Sequence, residues 1–262
     1  MKEPFLLHLP QTKTLPIVAS IPHSGLLVPD AIAASLNPSH RHYLPNQDWH
    51  LDRLYNFLPG LGITVVEAIY SRYVADLNRS PDNPHFGNFW QSIIPEKTAF
   101  DVPLYQTLPS PEEIENRLDR YYHPYHQKLQ ALLDEFVQQF GKVYLLDLHS
   151  FLGLIDDEIC LGNARGKSCS EFFISTVDAA FCDRGYQVVR NKVFSGGYIT
   201  KNYGKLSEVE ALQIEIRYPT YLNSQQFDDP VVPRWDIPEF EEAKQNFQAI
   251  FSQITRTLSD SK

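Results

Sequence analysis

The first clear apolar run, Ile17 to Ile21, ends at the turn Pro22-His23-Ser24-Gly25. It reads as a buried strand that presents His23 at its carboxyl end. Polar interruptions and prolines between Pro29 and Asn46 predict a loop with one short helix. From Asp48 to Leu58 the residues Leu51, Leu54, Tyr55 and Leu58 recur on one side, which is helical spacing. Gly60 and Gly62 end it, and Ile63 to Ile69, rich in β-branched residues, is the next strand. Periodicity then dissolves from Ser71 to Pro109, a loop long enough to signal function or short elements hidden within it. Ser110, Pro111 and Glu113 form a capped helix start. The helical pattern runs to Phe140, bent at Pro124, and its buried stripe includes Leu129, Leu132, Leu133, Phe136 and Val137. Val143 to Leu148 follows as a strand leading straight into His149. Next come a helix over Ser170 to Asp183, a strand near Gln187 to Arg190 and a loop over Ser195 to Lys205. A strand over Ala211 to Arg217 and a helix from Asp236 to about Leu258 complete the chain. Strands alternating with long helices predict an α/β fold, a single domain over residues 1–262 with a mixed, mostly parallel sheet flanked by helices.

Composition narrows the function. A chain of 262 residues builds its core without a disulfide or a structural metal. Lys and Arg total 23 against 32 for Asp and Glu, a net charge of −9, with no basic run to grip nucleic acid. The apolar stretches are strand-length, far below the ~20 residues of a membrane span. Met1 to Pro10 lacks the apolar region of a secretory signal. Cys160, Cys169 and Cys182 are odd in number and form no CxxC, which fits the reducing cytoplasm. The 16 Phe, 14 Tyr and 3 Trp supply core and pocket walls.

Open α/β sheets bind ligands at the carboxyl ends of their strands, and three predicted strands carry ionisable groups there: His23, His149 and Glu215. His23 and His149 are too distant in sequence for a helical metal motif, but two strand ends of a parallel sheet lie within ligand reach. The functional reading is a zinc site with both histidines, one carboxylate and an open fourth position. Asp147 either orients this site from behind or caps a turn. The competing reading has each histidine bond a nearby carbonyl. His8, His40, His42, His50, His85, His123 and His126 lack the strand-end context and read as structural.

Asp76-Leu77-Asn78-Arg79 and Arg72 form a second constellation. The guanidinium fork of Arg79 suits a substrate carboxylate, and Asn78 adds a contact. Alternatively this is a surface loop in which Asp76 pairs with an arginine. Glu215 lies between Ile214 and Ile216 and faces away from both, a costly place for a carboxylate without a role. Beside a metal it serves as general base; otherwise Arg217, on the same side, neutralises it. Arg165, in the glycine-bounded loop Gly162 to Gly166, touches an anionic substrate or merely turns. No GxSxG elbow and no phosphate-binding glycine loop occurs.

The blocks Pro22-His23-Ser24-Gly25, Asp48-Trp49, Asp52-Arg53-Leu54-Tyr55, Ser71-Arg72-Tyr73 and Asp76-Leu77-Asn78-Arg79 are followed by several more. These are Asp147-Leu148-His149-Ser150, Leu161-Gly162, Phe194-Ser195-Gly196-Gly197-Tyr198, Tyr203-Gly204 and Ala211-Leu212-Gln213-Ile214-Glu215. In that order, over residues 17 to 222, the chain resembles the N-formylglutamate amidohydrolase family. The resemblance implies a fold and catalytic plan like those of zinc carboxypeptidases, of the phosphorylase/hydrolase-like type, with one zinc ion. It implies His23 and His149 as metal ligands, Glu215 as the base, and Asn78 with Arg79 as the holder of a substrate carboxylate. Residue 26 is Leu where a carboxypeptidase carries its ligating Glu, so the third ligand comes from elsewhere. Asp48, in the loop before the predicted helix, is preferred to Asp52, a turn inside it.

The implied reaction is hydrolysis of N-formyl-L-glutamate to formate and L-glutamate by a cytoplasmic enzyme, a monomer or small homo-oligomer. A dicarboxylate needs two cationic contacts, for which Arg79, Arg72, Arg165 and Lys201 are candidates. The chain departs from the commoner family form at Asn191-Lys192-Val193-Phe194 and over Ile216 to Leu222. A second reading therefore stands: a metal-dependent deacylase or carboxypeptidase acting on another N-acyl amino acid or a short peptide. Intact His23, His149 and Glu215 oppose a third, a metabolite-binding protein that has lost its zinc site.

Overall fold

A computed structural model describes residues 3–153, 155–227 and 230–260. Its main sheet has seven strands: β1 (Phe5–His8), β2 (Ile17–Ile21), β3 (Thr64–Ala68), β6 (Val143–Phe151), β7 (Ile159–Gly162), β8 (Val188–Arg190) and β9 (Val209–Arg217). They lie in the order β1-β3-β2-β6-β9-β7-β8. Only β1–β3 and β7–β9 are antiparallel pairs, so the expected mixed, mostly parallel α/β sheet is met. Strands β4 (Phe86–Gly87) and β5 (Ile94–Pro95) form a separate parallel pair inside the long segment predicted as loop.

The helices are α1 (Asp30–Ser35), α2 (Leu51–Leu54), α3 (Pro111–Arg117), α4 (His123–Phe140), α5 (Glu171–Cys182), α6 (Tyr198–Tyr203) and α7 (Pro238–Asp260). Ser110 caps α3 by accepting from the Glu113 N–H at 3.2 Å, and a π-helical turn, Leu118–Tyr122, joins α3 to α4 just ahead of Pro124. Proline has no N–H to donate there, so the wider turn absorbs the missing bond.

Both faces of the sheet are covered, which is why β2 and β6 are buried along their whole length. Leu146, Leu148, Leu212 and Ile214 point toward α5 and α7, meeting Phe173, Phe181, Phe247 and Phe251. Val143, Leu145 and Ala211 point the other way, toward Leu129 and Leu133 of α4 and Ile199 of α6. Along this second face the residues change character toward the carboxyl ends. After Leu145 come Asp147 and His149, and after Ala211 come Gln213 and Glu215, paired in register as Asp147↔Gln213 and His149↔Glu215. A strip of the core is thus replaced by polar groups where α4 no longer covers the sheet.

The predicted helix from Asp48 to Leu58 is reduced to the single turn of α2 and a 3₁₀ turn over Leu58–Leu61. His50 takes the left-handed conformation (φ 58°) and cuts off the helix start, leaving Asp48 in a loop. Helix α6 occupies part of the segment predicted as loop, and β1 and β7 are additional strands. Among the described residues no helix is long and apolar enough to cross a membrane.

Candidate active site

His23 stands two residues beyond β2, His149 lies near the end of neighbouring β6, and Asp48 enters from the loop before α2. The backbone N–H of Asp48 donates to the His23 carbonyl at 3.3 Å, which ties that loop to the strand end. One ligand atom from each of His23, Asp48 and His149 lies within 4.8 Å of the others, and all three residues are buried. The Asp48 Oδ2 is 2.9 Å from His149 Nδ1 and 3.6 Å from His23 Nδ1.

The opposite nitrogen of each imidazole is held by a second carboxylate. His23 Nε2 lies 2.7 Å from Asp76 Oδ1, and His149 Nε2 lies 3.0 Å from Asp147 Oδ1. An ionised carboxylate only accepts, so each Nε2 carries the proton and donates it. That leaves both Nδ1 atoms turned toward Asp48. His23 Nδ1 is buried and has no hydrogen-bond partner, a condition that proteins avoid unless a ligand satisfies the atom. Two imidazole nitrogens and a carboxylate, each imidazole backed by a carboxylate, match the donor set and outer support of a catalytic divalent metal. The residues present fit such an ion.

Electrostatics agree. Burial raises the Asp48 carboxyl, but hydrogen bonds and positive charge from His149 and His23 outweigh it and hold the group well below the usual carboxylate range. Burial depresses the His149 imidazole, yet Asp147 and Asp48 on its two nitrogens keep it well above its ordinary value. Asp76, also buried, is held low by Arg72, Arg79 and His23. It accepts from Arg72 Nη2 at 2.6 Å and Nε at 3.1 Å, while Arg72 stacks over the Phe89 ring at 4.7 Å. Asp76 thus both pairs with arginine, as one reading of its tetrapeptide has it, and braces His23.

Glu215 sits beside His149 across the β6–β9 ladder. Burial pushes its carboxyl up to about 8, with the positive charge on His149 opposing and Asp48 adding to the rise. Arg217 does not neutralise it: Arg217 pairs with Asp156 at 3.1 Å, at the exposed end of the strand. Glu215 instead accepts from Gln213 Nε2 at 2.6 Å.

The cluster forms part of the wall of a cavity of about 780 Å³, which His23, Asp48, His149 and Glu215 all line. Arg72, Asn78, Arg79 and Lys201 line it too. The Arg79 guanidinium bonds the Phe89 and Asn78 carbonyls and lies 3.4 Å from Asp76. Both ends of the Asn78 amide meet protein groups: Oδ1 accepts from the Ile199 N–H at 2.8 Å, and Nδ2 lies 3.0 Å from His149 Nε2 and 3.5 Å from Asp147. Gly197 packs so closely that a Cβ there would lie 2.2 Å from Asn78 Nδ2. Arg165 is not among the residues lining the cavity; it is exposed in a left-handed turn (φ 57°). Asp52 lines a different, small cavity with His8 and Glu67. Sequence reasoning gave Gln213 no role, because a glutamine inside a strand carries no signal until its partners are known.

The model of the N-formylglutamate amidohydrolase family matches residues 15–222. The chain belongs to the N-formylglutamate amidohydrolase family. Similar proteins include the N-formylglutamate deformylase of Pseudomonas putida, 34% identical over 257 residues, covering 93% of this chain and 92% of the relative. The N-formylglutamate deformylase of Pseudomonas aeruginosa is 36% identical over 239 residues, covering 86% and 88%. The crystal structure of N-formylglutamate amidohydrolase from Ralstonia eutropha JMP134 superposes with a TM-score of 0.84 at 25% identity, covering 100% of both chains. As an amidohydrolase of this family with a His/Asp/His cluster in its cavity, the protein is a metal-dependent hydrolase.

Proposed function

We propose that the protein hydrolyses N-formyl-L-glutamate to formate and L-glutamate with one zinc ion held by His23 Nδ1, Asp48 and His149 Nδ1. The observation that carries this reading is the buried cluster with an unpaired His23 Nδ1, set beside Glu215 in the wall of a cavity that also offers cations. When bound, zinc supplies a Lewis acid that polarises the formyl carbonyl and makes water more acidic.

The chain's own groups do the rest. Glu215 takes a proton from the attacking water and returns it to the amine nitrogen of the departing glutamate. Its raised affinity for protons suits the return step, and a divalent cation held by the adjoining cluster would favour the ionised form needed for the first. Asp76 and Asp147 engage Nε2 of the two imidazoles and so turn both Nδ1 atoms toward Asp48, where the ion would bind. Arg79 receives the α-carboxylate and Arg72 adds positive charge behind it. Lys201, on α6 and without an ion-pair partner among the described residues, answers the second carboxylate of a dicarboxylic substrate. Asn78 Oδ1 fixes the turn into α6 by accepting from the Ile199 N–H. The whole chain acts as one catalytic domain in this reading, because the site draws on β2, β6, β9 and the loops before α2 and α3. Three unbonded cysteines support a cytoplasmic setting.

Formate release from N-formyl-L-glutamate, compared with release from N-acetyl and N-succinyl amino acids, tests the assignment. The expected result is a preference for the formyl dicarboxylate in zinc-loaded protein, abolished by chelation. Equal or better turnover of a neutral N-acyl amino acid overturns the substrate assignment.

A further inference from the structure

We infer that Gln213 is a positioning residue for Glu215, and that it fixes which of the two Glu215 oxygens exchanges protons in the reaction. This rests on the reading of Glu215 as general base.

The two ends of a glutamine amide are distinguished by their partners, and here one partner leaves no choice. The backbone N–H of Gly197 can only donate, and it meets Gln213 Oε1. Nε2 is therefore the end that faces Glu215, and it donates to Glu215 Oε1 at 2.6 Å. Gln213 is only 3% exposed and lies between β6 and β7, opposite Asp147 on one side and Gly162 on the other. The side chain is thus enclosed, with its oxygen anchored.

Gly197 is itself fixed. Its N–H heads α6, and its Cα packs so closely on the Asn78 amide that no side chain fits between them, while Asn78 Oδ1 accepts from the Ile199 N–H of the same helix start. The anchor for Gln213 and the Asn78 contact that starts α6 are therefore one structural unit.

The consequence for Glu215 is asymmetric. Oε1 is occupied as an acceptor from an amide N–H that cannot take a proton. No group among the described residues hydrogen-bonds Oε2, and Glu215 lines the cavity. Proton transfer to and from substrate therefore runs through Oε2. Without Gln213 the carboxylate is free to rotate about its terminal torsion and to offer either oxygen, in geometries only some of which reach the reacting atoms.

A double-mutant cycle tests this. Gln213→Met should lower kcat by about 10- to 100-fold, the usual worth of misplacing a reacting group by an ångström. KM should stay within about threefold, and bound zinc and thermal midpoint should be measured on the same samples. In the Glu215→Gln background, where no base remains to be positioned, Gln213→Met should change kcat by less than about twofold. Gln213→Leu, which likewise lacks the amide donor and adds no titratable group beside Glu215, should show the same loss, and it answers the case in which the methionine variant does not fold. An equal fractional loss in both backgrounds marks a merely structural role and overturns the inference. So does unchanged kcat in Gln213→Met and Gln213→Leu beside a crippled Glu215→Gln enzyme, a result that leaves the general-base reading intact. Full activity of Glu215→Gln itself removes that reading and this inference together.

Discussion

Replacing Asp76 by asparagine probes the support of the metal cluster without touching a ligand. Asp76 Oδ1 accepts from His23 Nε2 at 2.7 Å and from the Asn78 N–H at 2.9 Å. Its Oδ2 accepts from two nitrogens of Arg72 and faces Arg79 Nη2 at 3.4 Å. Asparagine has one acceptor oxygen for these two sides. With that oxygen toward the arginines, its NH₂ opposes the Asn78 N–H and forces His23 Nε2 to accept, moving the imidazole proton to Nδ1. With the oxygen toward His23, the NH₂ confronts two guanidinium groups. Two charge-assisted hydrogen bonds of about 1.5–3 kcal/mol each are lost in one orientation. That agrees with the roughly 3–5 kcal/mol cost of breaking a buried ion pair by removing one partner. At about 2–4 °C per kcal/mol for a chain of this size, the midpoint should fall by roughly 6–20 °C. Zinc affinity should fall by about 10- to 100-fold because the outer support of His23 is lost. Thermal unfolding of chelated protein and competitive zinc titration measure the two effects. A folded variant with wild-type midpoint and zinc affinity within twofold of wild type would refute the reasoning.

Glu215→Gln should keep its metal and lose about 10²–10⁴-fold in kcat in steady-state assays, the worth of a placed proton-transfer group; near wild-type turnover contradicts the general-base role. Arg79→Lys should lower kcat/KM by about tenfold or more, since an ammonium cannot reproduce the planar fork, whereas Arg165→Ala, outside the cavity, should leave kinetics unchanged. Gly197→Ala drives a methyl into the Asn78 amide and should cost about 1–3 kcal/mol, read by chemical denaturation. In chelated protein Glu215, raised by burial to about 8, keeps a proton that the unfolded chain releases near 4.5. The folded state then binds more protons than the unfolded one, so this contribution is fully present below about pH 4.5 and is lost as pH rises to about 8. Its slope is at most about 1.4 kcal/mol per pH unit, and it should vanish in Glu215→Gln; a wild-type profile no steeper than that of the variant over this window contradicts it.

The central strands were legible because burial on both faces leaves continuous apolar runs, and β2 occupies Ile17–Ile21 as expected. Those runs also fixed where His23 and His149 emerge, so the strand-end argument reached the two histidines before any contact was known. Asp48 was separable from Asp52 because a loop approaches a strand end more readily than a helix interior does. The structure sharpens the point through the left-handed His50, which no periodicity reveals. Strands β1 and β7, of four residues each, escaped although the shorter β8 did not, because what makes them strands is antiparallel pairing with the distant β3 and β9, which local sequence does not record. Helix α6 escaped because the Gly196-Gly197 pair before it reads as a turn, whereas tertiary contacts with Asn78 and Gln213 set its start. The double duty of Asp76 and the role proposed for Gln213 depend on side chains brought together from distant segments, which local sequence does not record.

The proposed activity requires one ion, held by His23, Asp48 and His149 and used to cleave a formyl amide. Zinc titrated into chelated protein, with bound metal and formate release from N-formyl-L-glutamate followed together, tests this most directly. One equivalent should bind and activity should rise in proportion to occupancy, while His23→Ala and His149→Ala should each lose tight binding and turnover. Undiminished formate release from metal-free protein, or one tightly bound equivalent in either histidine variant, would contradict it.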